Sequence, residues 1–282
     1  MDKMTVQALC ARFQIKPSHT LGQNFLTDSR VIEQIIKAAD ISKDDLVLEI
    51  GPGLGALTHD LARQAGRVIA IELDRSLIIP LQDILAEFTD TCQVIQGDAL
   101  QADFAALTVE WPEKIKVIAN LPYYITTPLI EKVLRELPGS HQLIFMLQKE
   151  AVERLLASPG TKSYSPLAIL AASFGQAKKI ADVPAASFYP QPHVDSCVVS
   201  LDATGQLPIV NWSEYNRFLN ACFGQRRKTL ANSLRIAGYP ANSLQKLPGI
   251  LRTIGAPDDV RAEKLDKNQF FNLFQQIKQQ QK

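Results

Sequence analysis

The stretch from residue 46 to residue 74 most constrains what this chain can fold into. Leu46-Val47-Leu48-Glu49-Ile50 reads as a buried parallel strand, and Gly51-Pro52-Gly53-Leu54-Gly55 follows it at once. Leu57, Leu61 and Ala62 then fall at helical spacing. A strand, a glycine turn and a helix form the first unit of a doubly wound α/β sheet, in which glycines let the backbone pass close to a ligand and let strand and helix pack tightly. The next apolar run, Val68-Ile69-Ala70-Ile71, ends in Glu72, 21 residues beyond Gly51, where an acid takes ribose hydroxyls in such folds. A nucleotide-type cofactor is therefore expected. The turn runs E-x-G-x-G-x-G from Glu49 to Gly55 rather than G-x-G-x-x-G, and no phosphate-binding lysine follows, which excludes a P-loop.

Two further strands predict acceptors on the same edge. Gln93-Val94-Ile95 leads into Gly97-Asp98-Ala99, and Ile115 to Ala119 leads into Asn120-Leu121-Pro122-Tyr123-Tyr124. Glu72, Asp98 and Asn120 thus converge on the crevice where open α/β sheets bind ligands. The last string places a carboxamide hook beside flat rings, suited to a planar amine; alone, it reads equally as a polar loop whose aromatics merely pack. Upstream, Asp28 is expected to cap a helix carrying the stripe Val31, Ile32, Ile35, Ile36 and Ala39. That pins Gln23 to Leu26 as a loop, either a ligand contact or a connector.

Composition bounds the rest. With 282 residues, 46% hydrophobic, the chain can build a main domain and a smaller one. The expected division is 1–203, an N-terminal arm plus catalytic domain, and 204–282, a small helical domain. Lys178 to Val183 and Asp195 to Leu201 are predicted strands, the second an antiparallel partner that completes seven. Residues 205–282 hold 12 Lys and Arg against 5 Asp and Glu, a net of +7, while residues 1–204 hold 18 against 24, a net of −6. A basic tail on an acidic body points to a polyanionic partner, with Arg226-Arg227-Lys228 as the phosphate-contact candidate; a solvated basic helix surface is the alternative. Apolar runs are too short to span a bilayer and no signal segment is apparent, so a cytoplasmic protein without a membrane partner is expected. Four scattered cysteines imply reduced thiols and no metal.

Several strings in fixed order, from about Gln23 to Phe271, resemble the ribosomal RNA adenine dimethyltransferases, and most closely their bacterial small-subunit branch. They are QNFL (23–26), EIGPGLGALT (49–58), IELD (71–74), GDA (97–99), NLPYYIT (120–126), MLQKE (146–150), FYPQPHVDS (188–196) and FGQRRKTLANSL (223–234). The resemblance implies a Rossmann-like, seven-stranded S-adenosylmethionine-dependent methyltransferase domain with a small C-terminal all-helical domain. It further implies dimethylation at N6 of two adjacent adenosines in the hairpin near the 3′ end of 16S rRNA, late in assembly of the 30S subunit or its precursor, by a monomer. A resistance methyltransferase acting on large-subunit rRNA is the alternative, disfavoured by RRKTL in the tail. A pure assembly factor is a second.

The resemblance also assigns residues. Asn24 and Leu26 close over the cofactor, Gly51 meets its methionine part, Glu72 its ribose and Asp98 its adenine, Asn120 sits next to the sulfonium methyl, and Gly53, Leu73 and Ala99 are further cofactor-binding residues. Asn120, with the Leu121 or Pro122 carbonyl, accepts from the substrate amine, biasing a delocalised nitrogen toward attack. Tyr123 and Phe188 sandwich the extruded base, with Tyr124 and Tyr189 left to packing; a core aromatic at a strand entry is the other reading of Phe188. The chain departs from the family at His193, Tyr124 and Ser165-Pro166, none of which touches the hook.

Overall fold

The structure is a computed structural model that describes residues 1–111, 114–122 and 125–279. Its strands in chain order are β1 (Phe25–Leu26), β2 (Leu46–Ile50), β3 (Arg67–Glu72), β4 (Cys92–Gln96), β5 (Ile115–Asn120), β6 (Gln142–Gln148), β7 (Gln176–Val183), β8 (Phe188–Tyr189) and β9 (Ser196–Asp202). Seven of them form one sheet in the order β4-β3-β2-β5-β6-β9-β7. Strands β4 to β6 run parallel through β2, and β9 inserts antiparallel beside β6. All five β2 residues are buried, as a central parallel strand covered on both faces requires. The chain leaves β2 toward β3 and β4, then crosses back to β5 and β6. That reversal opens a crevice at the carboxyl ends of β2 and β5.

Two devices fix the strand ends. The Lys116 ammonium on β5 is buried, donating to the carbonyls of Ala39 and Asp40 at 2.7 Å each and pairing with Asp45 at 3.2 Å. It thereby satisfies the last carbonyls of the helix Ser29–Ala39 and ties that helix to the sheet. The expected Asp28 cap is present, its carboxylate accepting the Arg30 N–H. The second device is a two-stranded ribbon, β1 with β8 antiparallel, pairing Phe25 with Tyr189 and Leu26 with Phe188. Gln23 to Leu26 is thus only partly a loop.

The chain divides into two compact units, residues 1–152 with 177–203 and residues 153–176 with 204–282. In the second, the helix Pro166–Phe174 is buried nearly all round, against the helices Trp212–Phe223 and Lys267–Gln279. Its core is aromatic: the Tyr215 and Phe274 rings meet edge-on at 5.2 Å, and Phe223 lies 5.8 Å from Phe270. The Tyr164 hydroxyl donates to the Leu265 carbonyl at 2.9 Å. The helix Leu230–Ile236, capped by the Thr229 side chain, and the helix Ala241–Thr253 complete it. Among the described residues, no helix is long and apolar enough to cross a membrane.

Candidate functional site

The crevice at the end of β2 is walled by one continuous set of residues in the first unit. Gly51, Gly53, Glu72, Leu73, Asp98, Ala99 and Asn120 line it from the sheet side, and Asn24, Leu26, Leu121, Pro122 and Phe188 line it from the connecting segments. Of the residues singled out from the sequence for cofactor or base, Tyr123 lies outside the described residues, as does Tyr124.

The turn after β2 has the backbone that only glycine adopts freely. Gly51, Gly53 and Gly55 have φ of +72°, +60° and +77°. At Gly53 a Cβ would also lie 3.1 Å from the Phe25 ring, so the missing side chain lets β1 close over the turn. Glu72 is buried, its Oε2 accepting the Gly53 N–H at 3.0 Å and its Oε1 the Asp74 N–H at 2.8 Å. Burial pushes its carboxyl above the ordinary range against the pull of those donors. Asp98 holds its own turn, with Oδ1 accepting the Leu100 N–H at 2.8 Å. The cap of the helix Phe104–Thr108 downstream is Asp103, whose side chain accepts the Ala106 N–H.

Asn120 ends β5. Its Nδ2 donates to the Asn24 carbonyl in a long bond of 3.5 Å, which points the amide donor away and leaves Oδ1 as an acceptor. The Leu121 N–H is taken by the Met146 carbonyl at 3.2 Å. The Pro122 carbonyl already accepts from Ile125 N and Thr126 Oγ1, each at 3.2 Å. No described residue donates to the Leu121 carbonyl, so of the two main-chain acceptors considered from the sequence it is the one with capacity to spare. Phe188 is 2% exposed; its ring belongs to the cavity wall and to the core at once.

Three contributors add to what the sequence indicates: Glu49, which leads the glycine-turn motif; the N-terminal segment; and Gln23, from the segment read as a ligand contact or a connector. Glu49 is fully buried, its Oε2 has no hydrogen-bond partner, and it lines the cavity. Burial pushes its carboxyl up to about 8, with the Glu72 charge adding to the shift, so it is mostly neutral at pH 7. Met1, and Val6 on the helix Lys3–Arg12, reach the cavity wall; the Asp2 side chain caps that helix through Thr5 N. The third is Gln23, whose side chain bridges Ser18 and Asp74. The sequence signals are the leading acid of the E-x-G-x-G-x-G turn and the amide that opens the QNFL string.

The charge of this cavity selects its ligand. Glu49, Glu72 and Asp98 line it, and none of the described lining residues is Lys, Arg or His. A pyrophosphate would meet Glu72 and Asp98 without a lysine, arginine or histidine, whereas a sulfonium with an attached ammonium meets complementary charge there, beside the neutral Glu49 carboxyl. The glycine turn, the buried acid Glu72 and the orphaned Glu49 oxygen fit S-adenosylmethionine. The fold and this site define a Rossmann-like, S-adenosylmethionine-dependent methyltransferase. The family model described as ribosomal RNA adenine dimethylase matches residues 14–279, and the chain belongs to that family. It is 41% identical to the ribosomal RNA small subunit methyltransferase A of Pelotomaculum thermopropionicum, over 95% of this chain and 94% of that one. The protein of the same name from Leuconostoc mesenteroides subsp. mesenteroides is 38% identical over 97% and 94%. A crystal structure of a dimethyladenosine transferase from Plasmodium falciparum superposes with a TM-score of 0.78 at 29% identity, covering 91% of this chain and 98% of that one.

The basic triplet lies in the second unit, in the exposed loop between the helices Trp212–Phe223 and Leu230–Ile236. Arg226 pairs with Glu263 at 3.4 Å. Arg227 and Lys228 are exposed.

Proposed function

We propose that this rRNA adenine dimethyltransferase modifies N6 of two adjacent adenosines in the hairpin near the 3′ end of 16S rRNA, acting in the cytoplasm as a monomer on the 30S subunit or its late precursor. The small-subunit relatives, matched over nearly their whole length, support the substrate. The observation that carries the chemistry is the acceptor pair at the end of β5, Asn120 Oδ1 and the Leu121 carbonyl, in an acidic cavity without a side-chain cation.

An adenine amino group is a weak nucleophile because its lone pair is delocalised into the ring. Asn120 and Leu121 accept its two N–H bonds and favour a tetrahedral nitrogen, so these residues supply acceptors rather than a strong base. When bound, S-adenosylmethionine supplies an electrophilic methyl group. The chain contributes positioning and preorganised polarity, which together lower barriers without a metal. Asn24 and Leu26 close the cavity, Gly51 and Gly53 admit the methionine part, Glu72 with Leu73 holds the ribose, and Asp98 with Ala99 holds the adenine. Extruding the target base costs a few kcal/mol. Stacking on Tyr123 and Phe188, at about 1–3 kcal/mol per base, is large enough to offset it. The helical part of the chain, residues 204–282, holds RNA through Arg226, Arg227 and Lys228.

The test is to incubate the protein and labelled S-adenosylmethionine with unmethylated small subunits and to map the product. Label in adenine N6 of the 3′ hairpin is expected. No label there, or label only in large-subunit RNA, would overturn the assignment.

A further inference from the structure

Gln23 uses both ends of its side-chain amide. Its Oε1 accepts the Ser18 N–H at 2.7 Å, and its Nε2 donates to Asp74 Oδ2 at 2.6 Å. The first bond closes the segment ahead of β1 on itself; the second fastens it to the chain just past β3. Asp74 is a strong anchor. Burial raises its carboxyl, but hydrogen bonds from Ser76 and Gln23 outweigh that and hold it below the ordinary range, as an acceptor. Its own N–H donates to Glu72 Oε1, and Glu72 Oε2 receives the Gly53 N–H.

On the other side, the neighbour of Gln23 supplies the carbonyl that receives the Asn120 amide. At Gly22, whose φ is +62°, a Cβ would lie 3.8 Å from the Pro122 Cβ, so the same segment runs close to Pro122. A continuous run of polar contacts and chain therefore leads from the glycine turn through Glu72, Asp74 and Gln23 to Asn24 and Asn120. The residue type follows from the two partners. Ser18 N–H needs an acceptor and the Asp74 carboxylate needs a donor, and an uncharged carboxamide offers both. A carboxylate at position 23 would face Asp74 as a like charge, and an apolar side chain would leave two partly buried groups without partners.

We propose that Gln23 is a positioning residue that couples the cofactor's ribose seat to the substrate hook: it fixes the Asn24 carbonyl so that the Asn120 amide donor is held there and Oδ1 is left for the base. The coupling to transfer rests on reading Asn120 as the substrate acceptor. The anchoring to Asp74 does not.

Gln23→Leu, the near-isosteric Gln23→Glu, and the pair Gln23→Glu with Asp74→Asn test it. Three quantities are measured: the dissociation constant for S-adenosylmethionine, the single-turnover rate at saturating cofactor, and the melting temperature. Each single change is expected to weaken cofactor binding about tenfold and to slow the saturated rate by a similar factor, the loss of one hydrogen bond to a charged group. The pair is expected to recover both to within about threefold, because the polarity of the bond is reversed rather than lost: the new amide donates to the new carboxylate while Ser18 N–H keeps its acceptor. Single variants that lower only the melting temperature would reduce Gln23 to a structural tie and overturn the proposal. Losses that the pair does not recover would remove the Gln23–Asp74 bond as their cause. Weakened cofactor binding with an unchanged saturated rate would sever the link to Asn120. Should wild-type protein fail to label small-subunit RNA, the substrate assignment falls, while the dissociation constants and their recovery still decide the anchoring.

Discussion

The cavity at the end of β2 and the loop after the helix Trp212–Phe223 are opposites in charge and in construction. The cavity holds three carboxyl groups, buried or half-buried; both oxygens of Glu72 and one of Asp98 accept backbone N–H groups at 2.8–3.0 Å. The loop holds two arginines and a lysine, all exposed, with one ion pair at 3.4 Å among the described residues. A small cationic ligand is recognised by groups fixed before it arrives, because each contact is made in a poorly solvated place where misplacement is costly. A polyanion is recognised by summed charge, in which no single side chain needs one geometry. Changes in the cavity should therefore be large, specific and insensitive to salt, and changes in the loop smaller, general and salt-dependent.

The largest break in that comparison is expected from Asn120→Ala. Methyl transfer should fall at least about 10²–10³-fold, the scale for losing one preorganised polar group, while subunit binding by filtration or sedimentation stays intact; retained turnover would remove Asn120 from the mechanism. Next comes Glu72→Gln, which keeps shape but removes charge. Cofactor affinity measured by calorimetry should drop about 10–100-fold, as for a hydrogen bond to an ionised group, with the loss equal at 50 and 300 mM salt.

Replacing Arg226, Arg227 and Lys228 together by Ala should weaken RNA binding about tenfold at moderate salt and make the slope of log affinity against log salt shallower by roughly 2 to 3. An unchanged slope would count against this loop as the RNA contact. Cofactor affinity should not move.

The smallest effect concerns stability. The Glu49 carboxyl titrates near 8 in the folded chain, well above an unfolded glutamate. The folded state thus binds the extra proton, and its contribution is full below the unfolded value near 4.5 and is lost as pH rises toward 8. Glu72 is shifted in the same direction, so Glu49→Gln should remove only part of the slope. The variant's melting temperature is expected to decline less than wild type's between pH 5 and pH 8; parallel curves would contradict a buried neutral Glu49.

Much of the cavity could be read from the sequence because its parts are local. A fully buried parallel strand is a short apolar run, a turn with positive φ wants glycine, and an acid or amide at a strand's end is carried to the crevice by the fold itself. Glu72, Asp98 and Asn120 are of this kind. What could not be read is non-local or lacks a period. The pairing of β1 with β8 joins two dipeptides whose partners lie 164 (Phe25 to Tyr189) and 162 (Leu26 to Phe188) positions apart, and neither dipeptide has an alternating pattern. The helix Pro166–Phe174 is apolar on every side, so it shows no stripe, and it draws residues 153–176 into the helical unit although the glycine and proline near 204 mark only the later boundary. The Gln23 bridge depends on a partner 51 positions downstream. Neither partner's residue type reveals it alone.

The place of β9 in the sheet bears on how the chain is made. β9 lies between β6 and β7, and it pairs with all seven residues of β6. During synthesis, at about 5–20 residues per second, the 54 residues from Gln148 to Asp202 take roughly 3–10 s to follow β6 out of the ribosome. For that interval the nascent sheet ends in an unpaired edge carrying Leu143, Ile144, Phe145, Met146 and Leu147, which is the kind of edge that recruits foreign strands. An enzyme that modifies ribosomal RNA thus leaves the ribosome with its own sheet open on one side, and the last strand to be translated is the one that seals it.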